Sequence, residues 1–165
     1  MTGESSTGGS APGCPLPRRC VLGGPIIDGT IKGRAEDFVV DELPLYDPIG
    51  KGEHLYLGIR KIGMPHTELV RILRQHFRVN ENAIGYAGMK DKVAVTTQQF
   101  SIHLPDGEPS TLDIPDKRID VLWARRHVNK LRRGHLMGNR FSIRIRDTDP
   151  LKAPAVLSQM RKLVA

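Results

Sequence analysis

The chain has only two cysteines, Cys14 and Cys20, and both lie in a Gly/Ser/Pro-rich stretch with no His or Cys partner at metal-binding spacing. That excludes a disulfide framework and leaves no metal-ligand motif. Nor is there an apolar run approaching the ~18 residues that a membrane helix needs, or a compact apolar stretch of the secretory type near Met1. These absences lead us to expect a cytoplasmic protein, or a nuclear one in a eukaryote, with no membrane association, no metal and no cofactor. No internal repeat is found.

What is present has the composition of a globular domain: 165 residues, 39% hydrophobic and 26% charged, enough for one core. Residues 1–24 are the exception. They are poor in apolar side chains and dense in Gly, Ser, Thr and Pro, so they cannot bury enough surface to offset ordering entropy. We expect this leader to be disordered; Arg18 and Arg19 would suit a transit peptide, but the Gly and Pro content argues against an amphipathic helix. Residues 25–165 are expected to form the folded part.

Acidic residues are nearly missing from 117–146, where Asp120 stands against ten Lys and Arg, so this segment holds more than the chain's whole formal excess of +7. Basic charge gathered on one element is the footprint of a polyanion partner, because each neutralised phosphate releases condensed counterions. Nucleic acid is the first candidate, weighed against a solvated strand pair or an anionic membrane surface.

Periodicity places the elements. Thr30–Lys32 and Asp37–Leu43 read as strands. Glu53–Ile62 alternates clearly, with Leu55, Leu57 and Ile59 on one face and His54, Tyr56 and Arg60 on the other, as a half-buried strand does. Thr67 is the expected N-cap of a helix running to Arg78, with Leu69, Val70, Leu73 and Phe77 at helical spacing. Further strands are expected at Ile84–Ala87, Gln99–Leu104, Ile119–Arg126 and Arg140–Arg146, with Lys130–Asn139 as a connection. Asp149 and Pro150 then open a final helix that stops mid-pattern, so the chain reads as cut. The expected fold is α+β: a largely antiparallel or mixed sheet with helices on one face.

The run from Gly85 to Phe100 carries the chemistry. It sets Asp91 between Lys90 and Lys92, just after Gly88, on a loop entered from a short strand. Taken alone, such a turn is usually solvated surface. However, Tyr86–Gln98 resembles the signature loop of the TruD family of tRNA pseudouridine synthases, and two more stretches match in order. They are Ile31–Glu42, followed by Gly52-Glu-His54 and Lys61-Ile-Gly63, and Asn129–Phe141, which is similar to the family's Lys-Leu-Arg-X-Gly-X-Leu-X-Gly-Asn-X-Phe element. Together they cover roughly residues 29–146.

The resemblance implies a pseudouridine synthase fold and isomerisation of uridine to pseudouridine in tRNA, with Asp91 as nucleophile and no metal or cofactor. It implies that Phe38 and Phe141 line the uridine pocket, that Asn139 contacts the base edge, and that Lys32 or Lys90 supports the carboxylate. A base inside folded RNA must be extruded, and a flipped base is held by stacking and edge hydrogen bonds. Lys130, Arg132 and Arg133 would contact phosphate, positioning the RNA without reading sequence; His135 is read as an ordinary surface histidine. The resemblance also implies that 25–165 is the N-terminal part of a catalytic domain, whose remaining strands and inserted second domain lie outside this sequence. The rival reading is a noncatalytic basic RNA-binding module, or an inactive fragment.

Overall fold

The computed structural model describes residues 26–105 and 107–164. The leader 1–24, with Cys14, Cys20, Arg18 and Arg19, lies outside the described residues. The chain divides into two compact units; Gly29–Thr148 holds the sheet, and Asp149 onward belongs to the other.

The fold is α+β. Six strands form one mixed sheet: β1 (Phe38–Pro44), β2 (His54–Ile62), β3 (Ile84–Tyr86), β4 (Val95–His103), β5 (Ile119–His127) and β6 (Leu136–Ile143). Their order is β5-β2-β4-β1-β6, with β3 also paired to β4. β4 lies antiparallel to β2 along its whole length. On its other edge it changes partner, running parallel to β1 at Val95–Thr97 and antiparallel to β3 at Phe100–Ile102. Between those ladders the Gln99 N–H donates to Glu42 Oε1 at 3.1 Å, so a β1 side chain supplies the acceptor that a neighbouring strand would otherwise provide. The Asp91 loop leaves β3 and re-enters β4 at this split.

The period of two sorts β2 as expected, and Leu55, Leu57 and Ile59 are buried against helix α1 (His66–Phe77) through its Leu69, Val70, Leu73 and Phe77. Truncating one of these, Leu57→Ala for instance, would cost about 2–5 kcal/mol. The opposite face of β2 is covered at its middle, at Tyr56 and Gly58, while Arg60 stays exposed, so the half-buried reading is corrected there. Tyr56 is fully buried and packs with Ala87 and Leu131, because the 128–135 connection folds back over the sheet. Its phenol donates to the Asn129 carbonyl at 3.0 Å. That close approach requires glycine at 85, where a Cβ would overlap the Leu131 carbonyl and Ser101 Oγ. Gly58 is needed likewise, with the Trp123 indole lying where its side chain would be.

Several boundaries differ from the expectation. Pro65, not Thr67, precedes the helix, and no side chain caps it. β4 starts at Val95, so the second half of the signature run is strand; its Val95, Thr96, Gln98 and Phe100 are buried although the run reads as polar. β6 starts at Leu136 and ends at Ile143; Arg146 instead makes an isolated bridge with Thr30, where a strand was expected at both places. In the second unit, Asp149 Oδ1 accepts from Leu151 N at 3.0 Å, and a 3-10 turn at Pro150–Lys152 leads into α2 (Ala153–Val164). No helix among the described residues is long and apolar enough to cross a membrane.

Candidate active site

Asp91 is on the exposed part of the loop between β3 and β4, its side chain about half accessible. Lys32 Nζ lies 3.2 Å from its Oδ2 and also 4.1 Å from the centre of the Phe38 ring. One ammonium thus touches both a carboxylate and an aromatic face. Lys32 reaches this place from a left-handed backbone, φ 58°, which a lysine seldom adopts and which needs surrounding structure to hold it. That structure is Asp37. Its buried carboxylate accepts from Arg34 N–H at 3.1 Å and from the Arg146 guanidinium at 2.6 and 2.7 Å, closing the segment around Lys32 onto Arg146, which also bridges Thr30. The Arg146 hydrogen bonds, against the opposing effect of burial, hold the Asp37 carboxyl below the usual carboxylate range.

The sequence left open which lysine serves Asp91. Lys90, its immediate neighbour, is buried and turned away, with Nζ 2.5 Å from Glu42 Oε2. Lys32 is the one in contact with the carboxylate. Phe38 is nearly buried and meets Phe141 edge-on at 5.9 Å between ring centres. Phe141, on β6, is 55% exposed and so presents free aromatic surface beside Lys32 and Phe38. Asn139 is exposed on β6 opposite Glu42, two residues from Phe141 and therefore on the same side of the sheet. Lys32, Phe38, Asp91, Asn139 and Phe141 accordingly share one face, with Lys90 beneath it.

Two further groups lie under the loop, and neither was singled out from the sequence. Lys61 is fully buried and donates to the Met64 carbonyl at 2.7 Å and to the Asp91 carbonyl at 2.8 Å. Burial is the main cause that lowers its pKa to about 8, opposed by Asp91 and reinforced by Lys90. His66 stacks on Phe100 at 5.6 Å and meets Tyr86 edge-on at 4.3 Å, and neither ring nitrogen has a partner among the described residues. Burial, then Lys61, Lys90 and Arg133, lower its pKa to about 4, so it is neutral at pH 7. Gln98 Nε2 donates to the Gly88 carbonyl at 3.1 Å, which anchors the start of the loop.

The basic segment is not one solvated strip. Arg118 bridges Asp116 and Glu68, Arg126 meets Glu108, and Arg146 holds Asp37, so three of its ten cations staple the fold. Lys130 donates to the Asn82 carbonyl at 2.5 Å, and Arg133 to Tyr86 Oη at 3.1 Å while lying over its ring. Arg132 is exposed beside them on the 128–135 connection. His135 is half-buried and hydrogen-bonded to Tyr46 Oη at 2.8 Å, so it is more than a free surface residue. Among the described residues no group of three His, Cys, Asp or Glu is placed to hold a metal ion.

The α+β fold with its mixed sheet is one shared with known proteins. The sequence profile described as tRNA pseudouridine synthase D (TruD) matches residues 19–164, and the chain belongs to that family. It is 52% identical over 126 residues to tRNA pseudouridine synthase D of Syntrophotalea carbinolica, covering 76% of this chain and 31% of that protein. It is 43% identical over 133 residues to the same-named protein of Xanthomonas campestris, covering 80% and 36%. A crystal structure from Methanosarcina mazei, assigned to the same synthase, superposes with a TM-score of 0.69 at 30% identity, over 79% of this chain and 30% of that one. The chain thus spans about a third of the length of these relatives.

Proposed function

We propose that this chain carries the nucleophile-bearing part of an RNA pseudouridine synthase acting on tRNA. The observation that supports it most directly is the grouping of Asp91, Lys32, Phe38 and Phe141: a carboxylate, a cation and an aromatic surface on one exposed face. In this reading Asp91 attacks the nucleoside, at ribose C1′ or uracil C6. The N1–C1′ bond breaks and a C5–C1′ bond forms, while C5 gives up its proton and N1 gains one. Lys32 favours the carboxylate form that a nucleophile must have. Phe141, backed by Phe38, stacks on the extruded uracil, and the Asn139 amide, which both donates and accepts, meets its edge. Holding the free base in place lets it rotate and rejoin without escaping. Lys130, Arg132 and Arg133 supply phosphate contacts.

A purely RNA-binding module would need the cations but not an exposed acid among them, since Asp91 repels phosphate. The test is release of the C5 proton from uridine in an unmodified tRNA transcript incubated with the intact protein that carries this chain. Release at a defined uridine is expected. Stoichiometric tRNA binding without any release would leave only the binding reading.

A further inference from the structure

We propose that Lys61 is a positioning residue for this site, holding the Asp91 loop from below so that the carboxylate stands at a fixed height over the sheet. The inference rests on the reading of Asp91 as nucleophile. The Lys61 ammonium has no carboxylate within hydrogen-bond reach among the described residues, and its acceptors are two backbone carbonyls, those of Met64 and Asp91. It therefore ties the loop residue that bears the acid to the β2–α1 corner, which is packed into the main core through Met64 and Leu69. Burying a charge without an ion-pair partner is costly, and an apolar residue of similar volume would avoid that cost while leaving the two carbonyls without this donor. Thr96 faces Lys61 across β2 and β4, and its buried hydroxyl adds no charge. What the ammonium adds is geometry and field: it fixes the Asp91 carbonyl and places positive potential beneath the Asp91 carboxylate.

The charged and titratable groups facing it are Asp91 and Lys90 from the loop and His66 from α1. His66 is neutral at pH 7, and Lys90 is committed to Glu42. Lys61 is thus the group beneath Asp91 that changes charge in the mildly alkaline range, with a pKa of about 8. As pH rises through that value the ammonium becomes an amine, its support of the carboxylate weakens, and kcat should decline.

The experiment compares Lys61→Met, Lys61→Arg and Asp91→Asn in the intact protein. Lys61→Met should lower kcat for pseudouridine formation about 10²-fold, the effect of misplacing a reacting group by ~1 Å, with KM and tRNA affinity near the wild type. Lys61→Arg should recover part of kcat and lose the alkaline limb, since a guanidinium stays charged. Should Lys61→Met fail to fold, the wild type answers alone. The Lys92 amide shares a peptide unit with the Asp91 carbonyl, and its nitrogen chemical shift should titrate with a midpoint near 8. A Lys61→Met protein with wild-type kcat, or a Lys92 amide that does not titrate there, overturns the inference. Activity retained in Asp91→Asn overturns instead the reading on which it rests.

Discussion

Lys90 Nζ lies 2.5 Å from Glu42 Oε2 with both side chains buried, so the lysine next to Asp91 in sequence serves the sheet and not the acid. Glu42 in turn accepts the Gln99 N–H at the point where β4 exchanges β1 for β3. The pair therefore joins the loop, β1 and β4 where the sheet is split.

Breaking that pair leaves a buried charge. Lys90→Met should destabilise the domain by about 3–5 kcal/mol, and adding Glu42→Gln should restore a substantial part, because the amide oxygen still receives Gln99. Urea unfolding of the single and double variants measures this. Additive losses in the double variant would mean that the two side chains act independently.

Lys32 should behave in the opposite way. Its contact with Asp91 is partly solvated, so Lys32→Met should cost within about 1 kcal/mol of stability. Pseudouridine formation should nevertheless fall at least about tenfold, one decade for each ~1.4 kcal/mol of lost transition-state stabilisation. Thermal unfolding and single-turnover rates, measured on one preparation, separate the two effects.

His66 gives a pH dependence of stability. Its folded pKa of about 4 lies below the 6.5 of the free side chain, so between those values the unfolded chain binds more protons. Stability therefore declines as pH falls from 6.5 through 4, by up to about 3 kcal/mol from this group. In His66→Phe, which keeps a ring between Phe100 and Tyr86, that component should vanish. The stability difference between variant and wild type, followed from pH 7 to 4, should move in favour of the variant; a constant difference would assign the acid sensitivity elsewhere.

Neutralising Arg132 and Arg133 should weaken tRNA binding and flatten its salt dependence, by roughly one in the log–log slope for each phosphate that is no longer neutralised. Arg126→Gln should leave that slope unchanged while lowering stability, because Arg126 is engaged by Glu108 and the Leu104 carbonyl. Fluorescence anisotropy across a salt series reads both.

The sequence made the strands and the main helix legible through periodicity: the Leu55, Leu57 and Ile59 face and the Leu69, Val70, Leu73 and Phe77 stripe lie where spacing places them. Charge was less legible. Arg118, Arg126 and Arg146 read as parts of an RNA footprint, yet Arg118 reaches Glu68 as well as the nearby Asp116, and Arg126 and Arg146 reach Glu108 and Asp37, the three longer pairings spanning 50, 18 and 109 residues. Counting charges along the chain does not show such pairings. The burial of Tyr56 was not legible because its cover, the 128–135 connection, is far away in sequence. Lys61 and Glu42 carried a usable signal. Each continues the buried side of its strand, at i+6 from Leu55 and i+4 from Phe38, and a charged residue at such a position marks a built contact.

The most direct test of the account is Asp91→Asn in the intact protein, assayed for pseudouridine in tRNA and for tRNA affinity together. Pseudouridine formation should fall at least about 10³-fold, the scale on which removing a nucleophile acts, with tRNA affinity nearly unchanged. Pseudouridine formed by the variant at a rate near the wild type would contradict it.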